Sequence, residues 1–170
     1  KNNVDGLLLR ALNTSEQIKR ARDQSGALAD IGVNLMRASH PQEAMQAFNK
    51  ALAKSTESQM YPWAKVKAYV IQKMAEAGLF NAAVQAADQM PDSKFKDAAL
   101  VETAIQLAQS GYLEQAVTLE EQIVLARFRT MMLNSLAEVA LNSHGSKNPK
   151  EMTTLQTRMK KYEELYQEKN

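Results

Sequence analysis

The sequence predicts an all-α protein, a right-handed α-solenoid of about four helix-turn-helix repeats followed by a C-terminal capping helix. Three observations carry this reading. Alanine supplies 25 of the 170 residues, whereas glycine and proline together supply only ten. Small turn residues recur at a near-constant spacing, and an alanine follows each turn at a constant distance. Alanine is the best helix former and the smallest side chain that still packs, so the composition favours closely apposed helices. An all-β sandwich would need a turn roughly every 8–12 residues, which so few turn formers cannot supply. Collagen-like and Pro/Gly-rich disordered chains are excluded on the same ground.

The repeat is read by aligning Gly6–Ile18, Ser39–Ala51, Gly78–Met90 and Gly111–Ile123. Each begins with a small residue at a turn and carries an alanine five places later, at Ala11, Ala44, Ala83 and Ala116. With His144 as a fifth turn, the spacings are 33, 39, 33 and 33 residues. Between these segments, Ala27-Leu28, Ala99-Leu100 and Met132-Leu133 fall in register. Gly32, Ala104 and Ala137 follow on the same helices, with Ile71 as the exception. Each unit is therefore two helices joined by a tight turn. The small residues mark where antiparallel helices approach, Gly32 being expected against Ala44. The longer unit places about six extra residues in 53–63, after which Pro62 opens the next helix.

The first unit lacks its first helix, since only Lys1–Asp5 precede Gly6. An array cut there would expose an apolar face, so the natural protein is expected to continue on that side. At the other end the repeat array runs over 1–146, and 147–170 reads as an amphipathic cap. Met152, Leu155, Met159, Tyr162, Leu165 and Tyr166 share one helical face of that segment, opposite Lys160, Lys161, Glu163, Glu164 and Glu168.

These residues resemble the tetratricopeptide repeat. The fullest copy is Gly32, Leu35, Ser39, Ala44, Phe48 and Ala51, with partial copies around Gly78–Ala83 and Ala104–Ala116. The resemblance covers roughly residues 6–142. It departs in a 33-residue period, in Ala87 and Glu120 at the second-helix aromatic position, and in Phe95 and Phe128 where proline stands between repeats. Another helical-hairpin family therefore stays open. The resemblance implies a solenoid whose first helices line a concave groove that takes a peptide or partner helix. Residues projected onto that groove are Val33 and Arg37, then Tyr69, Gln72 and Glu76, then Val101 and Ile105, then Asn134 and Glu138. Family members that grip C-terminal carboxylates use cations and asparagine where this chain has Ala29, Val33, Ala98 and Glu102. A carboxylate clamp is not expected.

Chemistry is scarce. The chain has no cysteine, which removes disulfides, thiolate catalysis and Cys-ligated metals. His40 and His144 both fall beside turns, without a His-Glu-x-x-His pattern. No phosphate loop, nucleophile elbow or calcium loop is present. Glu120-Glu121 and Glu163-Glu164 are helical neighbours rather than convergent pairs, and Met74, Met90 and Met132 stand at core spacing. The expectation is a non-catalytic module with no cofactor or metal, binding a protein or peptide.

A formal charge of +2 makes no field that would require nucleic acid. Apolar stretches such as Leu7–Leu9 fall far short of the roughly 20 residues of a membrane span. The expected setting is soluble, cytoplasmic rather than periplasmic. Two alternatives remain. Arg22, Lys94 and Arg127 recur in register, near Lys19, Arg20, Lys96 and Arg129, and could form a basic edge for RNA. Against that, cations near helix C-termini complement the helix dipole. The open repeat ends could also mediate homo-oligomerisation.

Overall fold

The computed structural model describes residues 2–57, 63–91 and 93–142, together with Thr153, Thr157 and Lys160. Among the described residues there are eight α-helices, one 3₁₀ turn and no strand. The helices are α1 (Asn2–Ser15), α2 (Ala21–Arg37), α3 (Pro41–Thr56), α4 (Trp63–Glu76), α5 (Phe80–Asp88), α6 (Lys94–Gln109), α7 (Leu113–Thr118) and α8 (Ala126–Asn142). The 3₁₀ turn, Leu119–Gln122, continues α7. The fold is all-α.

Two compact units divide the chain, Lys1–Met90 and Pro91–Asn170. In the first, α2 packs on α3 and α4, and α3 on α4; α1 adds to α2 and α5 to α4. In the second, α6 packs on α7 and α8, and α7 on α8. Both units thus contain a hairpin followed by a third helix that touches both of its members.

Three turns repeat one hydrogen-bond pattern. Ser39 has φ 66°, Gly78 φ 78° and Gly111 φ 89°, the left-handed conformation at three of the five predicted turns. The amide of each turn residue donates three residues back, Ser39 to Met36 O at 3.0 Å, Gly78 to Ala75 O at 2.9 Å and Gly111 to Ala108 O at 2.9 Å. The next amide reaches five back, from His40 to Leu35 O, Leu79 to Met74 O and Tyr112 to Leu107 O, at 2.8, 2.9 and 2.9 Å. This is the Schellman closure, which satisfies carbonyls that a helix end would leave orphaned. Each turn then starts the next helix alike, with Ala44, Ala83 and Ala116 donating to the carbonyls of His40, Leu79 and Tyr112. Pro41 takes the first turn of α3, where a missing N–H costs nothing.

Gly6 behaves differently. The expected turn there does not exist, because α1 runs through Gly6 from Asn2 to Ser15. A glycine inside a helix costs only about 0.5–1 kcal/mol relative to alanine, which the rest of the helix can absorb. The turn at His144 and the capping helix over 147–170 lie outside the described residues, apart from Thr153, Thr157 and Lys160, which are helical.

Four of the six alanines at the small-residue positions of the register form the interior, whereas Ala11 and Ala137 are half-buried. Ala44, Ala83, Ala104 and Ala116 are fully buried. Gly32 meets Phe48 rather than Ala44: a Cβ on Gly32 would lie 2.8 Å from two atoms of the fully buried Phe48 ring. Met74, Met90 and Met132 are buried, as their spacing predicts. The ladder position of Leu28, Leu100 and Leu133, each at most 1% exposed, is filled in α4 by Lys67, itself only 7% exposed. Burial pushes the Lys67 ammonium below its ordinary value of 10.5. Among the described residues Lys67 has no hydrogen-bond or ion-pair partner.

Candidate partner-binding surfaces

In the first unit, α2 and α4 lie side by side and share an exposed polar network. Tyr69 Oη donates to Asp30 Oδ1 at 2.8 Å. Arg37 pairs with Glu76 at 2.8 Å. Lys73 Nζ lies 2.8 Å from Glu76, 3.6 Å from Asp30 and 5.6 Å from the centre of the Tyr69 ring. Both direct α2–α4 bonds join residues 39 apart, the local repeat spacing. Equivalent positions of successive first helices are thus neighbours across the pair.

The electrostatics follow from these contacts. The Lys73 hydrogen bond holds the Glu76 carboxyl below its usual value, and the Glu76 hydrogen bond holds the Lys73 ammonium above its own. Partial burial raises the Tyr69 phenol, and the Asp30 hydrogen bond raises it further. At neutral pH the surface therefore presents a neutral tyrosine among two carboxylates and two cations. Gly26 leaves room beside the ring, since a Cβ there would stand 4.0 Å from Tyr69 Cε1. Tyr69 and Trp63 are both 37% exposed.

The expected groove residues do not all reach a surface. Arg37, Tyr69 and Glu76 are exposed and belong to this network; Gln72 is half-buried on the same helix. Val33 is a core residue, 3% exposed, and Val101 is likewise buried at 6%. Both β-branched side chains turn into the packed interior, so neither is available to a partner. In the second unit Ile105 is half-buried, while Asn134 and Glu138 are exposed. Asn134 Nδ2 donates to Glu138 Oε1 at 3.0 Å along α8, as Gln106 Nε2 does to Glu102 Oε1 at 3.2 Å along α6. Asp30 and Lys73 were not among the expected residues. The 39-residue spacing could have found Asp30, which stands in register with Tyr69.

The basic residues also sit differently from expectation. Arg22, Lys94 and Arg127 occupy the first turns of α2, α6 and α8, not helix C-termini. A cation at a helix N-terminus opposes the dipole instead of complementing it. Arg22 is offset by its neighbour Asp23 at 2.9 Å. Beside the other two, the fully buried Asp97 carboxylate accepts from the amides of Val124 at 3.1 Å and Leu125 at 2.9 Å. Arg129 Nε donates to Ile123 O at 2.6 Å. These bonds fix the segment ahead of α8 against the first turn of α6.

His40 caps α3 and lies 3.0 Å from Asp5 of α1, a link between helices rather than a ligand pair. Among the described residues no group of three His, Asp or Glu side chains is placed to hold a metal ion. No helix there is long and apolar enough to cross a membrane. No protein-family model, curated protein or solved structure matches the chain.

Proposed function

We propose that this chain is a non-catalytic protein–protein interaction module of the tetratricopeptide-like, right-handed solenoid class, binding a peptide or partner helix along its first helices. The observation that carries the reading is the exposed α2–α4 surface, where Tyr69 stands beside Asp30, Arg37, Lys73 and Glu76. An aromatic body with a polar tip gives contact area at low entropic cost, and paired charges of both signs give orientation. A peptide carrying one apolar anchor and flanking charges suits that chemistry. The repeated Schellman turns support the hairpin-repeat part of the reading.

A displayed random-peptide library selected on the full chain tests it. Enriched peptides should bind with micromolar affinity, and Tyr69→Ala should weaken them about tenfold or more. Peptides that bind Tyr69→Ala and Arg37→Glu as well as the parent chain would place the binding surface elsewhere and sink the reading.

A further inference from the structure

In the second unit, between residues 93 and 142, every lysine and arginine falls at one end. They are Lys94 and Lys96 in the first turn of α6, and Arg127 and Arg129 in the first turn of α8. The same chemistry is repeated 33 residues apart. Lys94 Nζ lies 5.2 Å from the centre of the Phe95 ring, and Arg127 Cζ lies 4.9 Å from that of Phe128. Both cations are exposed and both rings half-buried. Neither Lys94 nor Arg127 has an ion-pair partner among the described residues. The helix dipole opposes cations at this end, so helix stability does not account for them. The buried Asp97 carboxylate holds the two helix starts together through Val124 and Leu125.

We infer that this edge is a binding surface for single-stranded nucleic acid, distinct from the α2–α4 surface. The protein offers one cation and one aromatic platform per repeat, and a single strand offers one phosphate and one flat base per nucleotide. Lys94 and Arg127 would each take a phosphate. The Lys94–Phe95 and Arg127–Phe128 pairs would supply the apolar contact for unpaired bases, with the planar Arg127 guanidinium over Phe128 as a stacking plane. An acidic peptide could satisfy the two cations but would leave the repeated aromatic faces without a counterpart.

The test is fluorescence anisotropy of the full chain with labelled oligouridylate between about 50 and 200 mM salt. Binding should weaken with salt, and Lys94→Gln with Arg127→Gln should lower the log–log slope by about 1.4, the value for two phosphate contacts to a single strand. Phe95→Leu with Phe128→Leu should weaken binding about fivefold or more while leaving the slope unchanged. Circular dichroism checks the fold of each variant, and the surface glutamines keep the test decisive if the leucine pair unfolds. No binding at about 50 mM salt, or an unchanged slope in the glutamine variant, overturns the inference. Competition by polyglutamate as effective as that by unlabelled RNA would overturn it in favour of an acidic protein segment.

Discussion

The ring of Phe48 occupies the space that a side chain on Gly32 would need, so α2 and α3 approach as closely as a bare Cα allows. Gly32→Ala gains helix propensity of about 1 kcal/mol but must displace a fully buried ring. Overpacking should win, giving a net loss of about 1–2 kcal/mol. Gly6→Ala is the control. A Cβ there meets nothing within 4 Å, so the same substitution should stabilise α1 by about 0.5–1 kcal/mol. Urea unfolding of both variants measures the two signs. Trp63, the single tryptophan, reports on the first unit.

Ser39 holds the left-handed conformation that glycine holds at the two equivalent turns. Ser39→Gly should therefore stabilise the first unit by about 0.5–1 kcal/mol, and Gly78→Ala should destabilise it by about 1 kcal/mol. Opposite shifts of the Trp63 unfolding midpoint are the expected result. Equal shifts would mean that turn strain is not what separates them.

Lys67 should behave as a misfit in the leucine ladder. Lys67→Leu is expected to raise stability modestly near neutral pH, because the Lys67 stem is buried and its ammonium, though still reaching water, is partly desolvated. The pH dependence has a definite sign. The folded protein holds Lys67 below the ordinary value of 10.5, so the unfolded chain binds the proton more tightly. The penalty is full below the folded value and fades as pH rises toward 10.5. The advantage of the leucine variant should narrow as pH rises toward 10.5. An advantage that stays constant over that rise would show that the ammonium carries no penalty.

Asp97 is buried and its carboxylate holds two backbone amides. Asp97→Ala should cost about 2–4 kcal/mol, since both donors lose a charged acceptor. Hydrogen exchange at Val124 and Leu125 should quicken more than in the middle of α6. Uniform acceleration across the second unit would instead indicate general loosening.

Arg37 and Glu76 meet at an exposed position, so their bond should contribute little. A double-mutant cycle to alanine is expected to give a coupling of about 0.2–1 kcal/mol, falling with added salt. A larger, salt-insensitive value would mean that the α2–α4 network acts cooperatively.

Much of the architecture was legible in the sequence because turn chemistry and small-residue packing are local demands. Ser39, Gly78 and Gly111 had to adopt positive φ to close their helices, and Ala44, Ala83 and Ala116 had to be small to be buried. Gly6 misled because glycine, though it favours a turn, costs a helix only about 0.5–1 kcal/mol, so its presence alone does not fix a turn. The partner surface was less legible. Val33 and Val101 lie one step from the exposed stripe of their helices, and projection onto an ideal helix does not resolve that boundary. Asp30 and Lys73 depend on a neighbouring helix, which a one-helix projection omits. The basic residues were recognised as a recurring set, but their effect on helix stability turned on a boundary only the backbone fixes.

The three matching turns bear on how such a chain can change length. A deletion from His40 through Gly78 would join Ser39 directly to Leu79, a junction that presents the same left-handed residue followed by the same kind of helix start. Such a cut removes one second helix and the next first helix, here α3 and α4, and leaves the local turn grammar intact. Length variation elsewhere has no such protected seam, and here the longer spacing lies between Ser39 and Gly78. Recombination at the turns would therefore add or drop two helices at a time, while single-residue drift would gather at the handovers between hairpins.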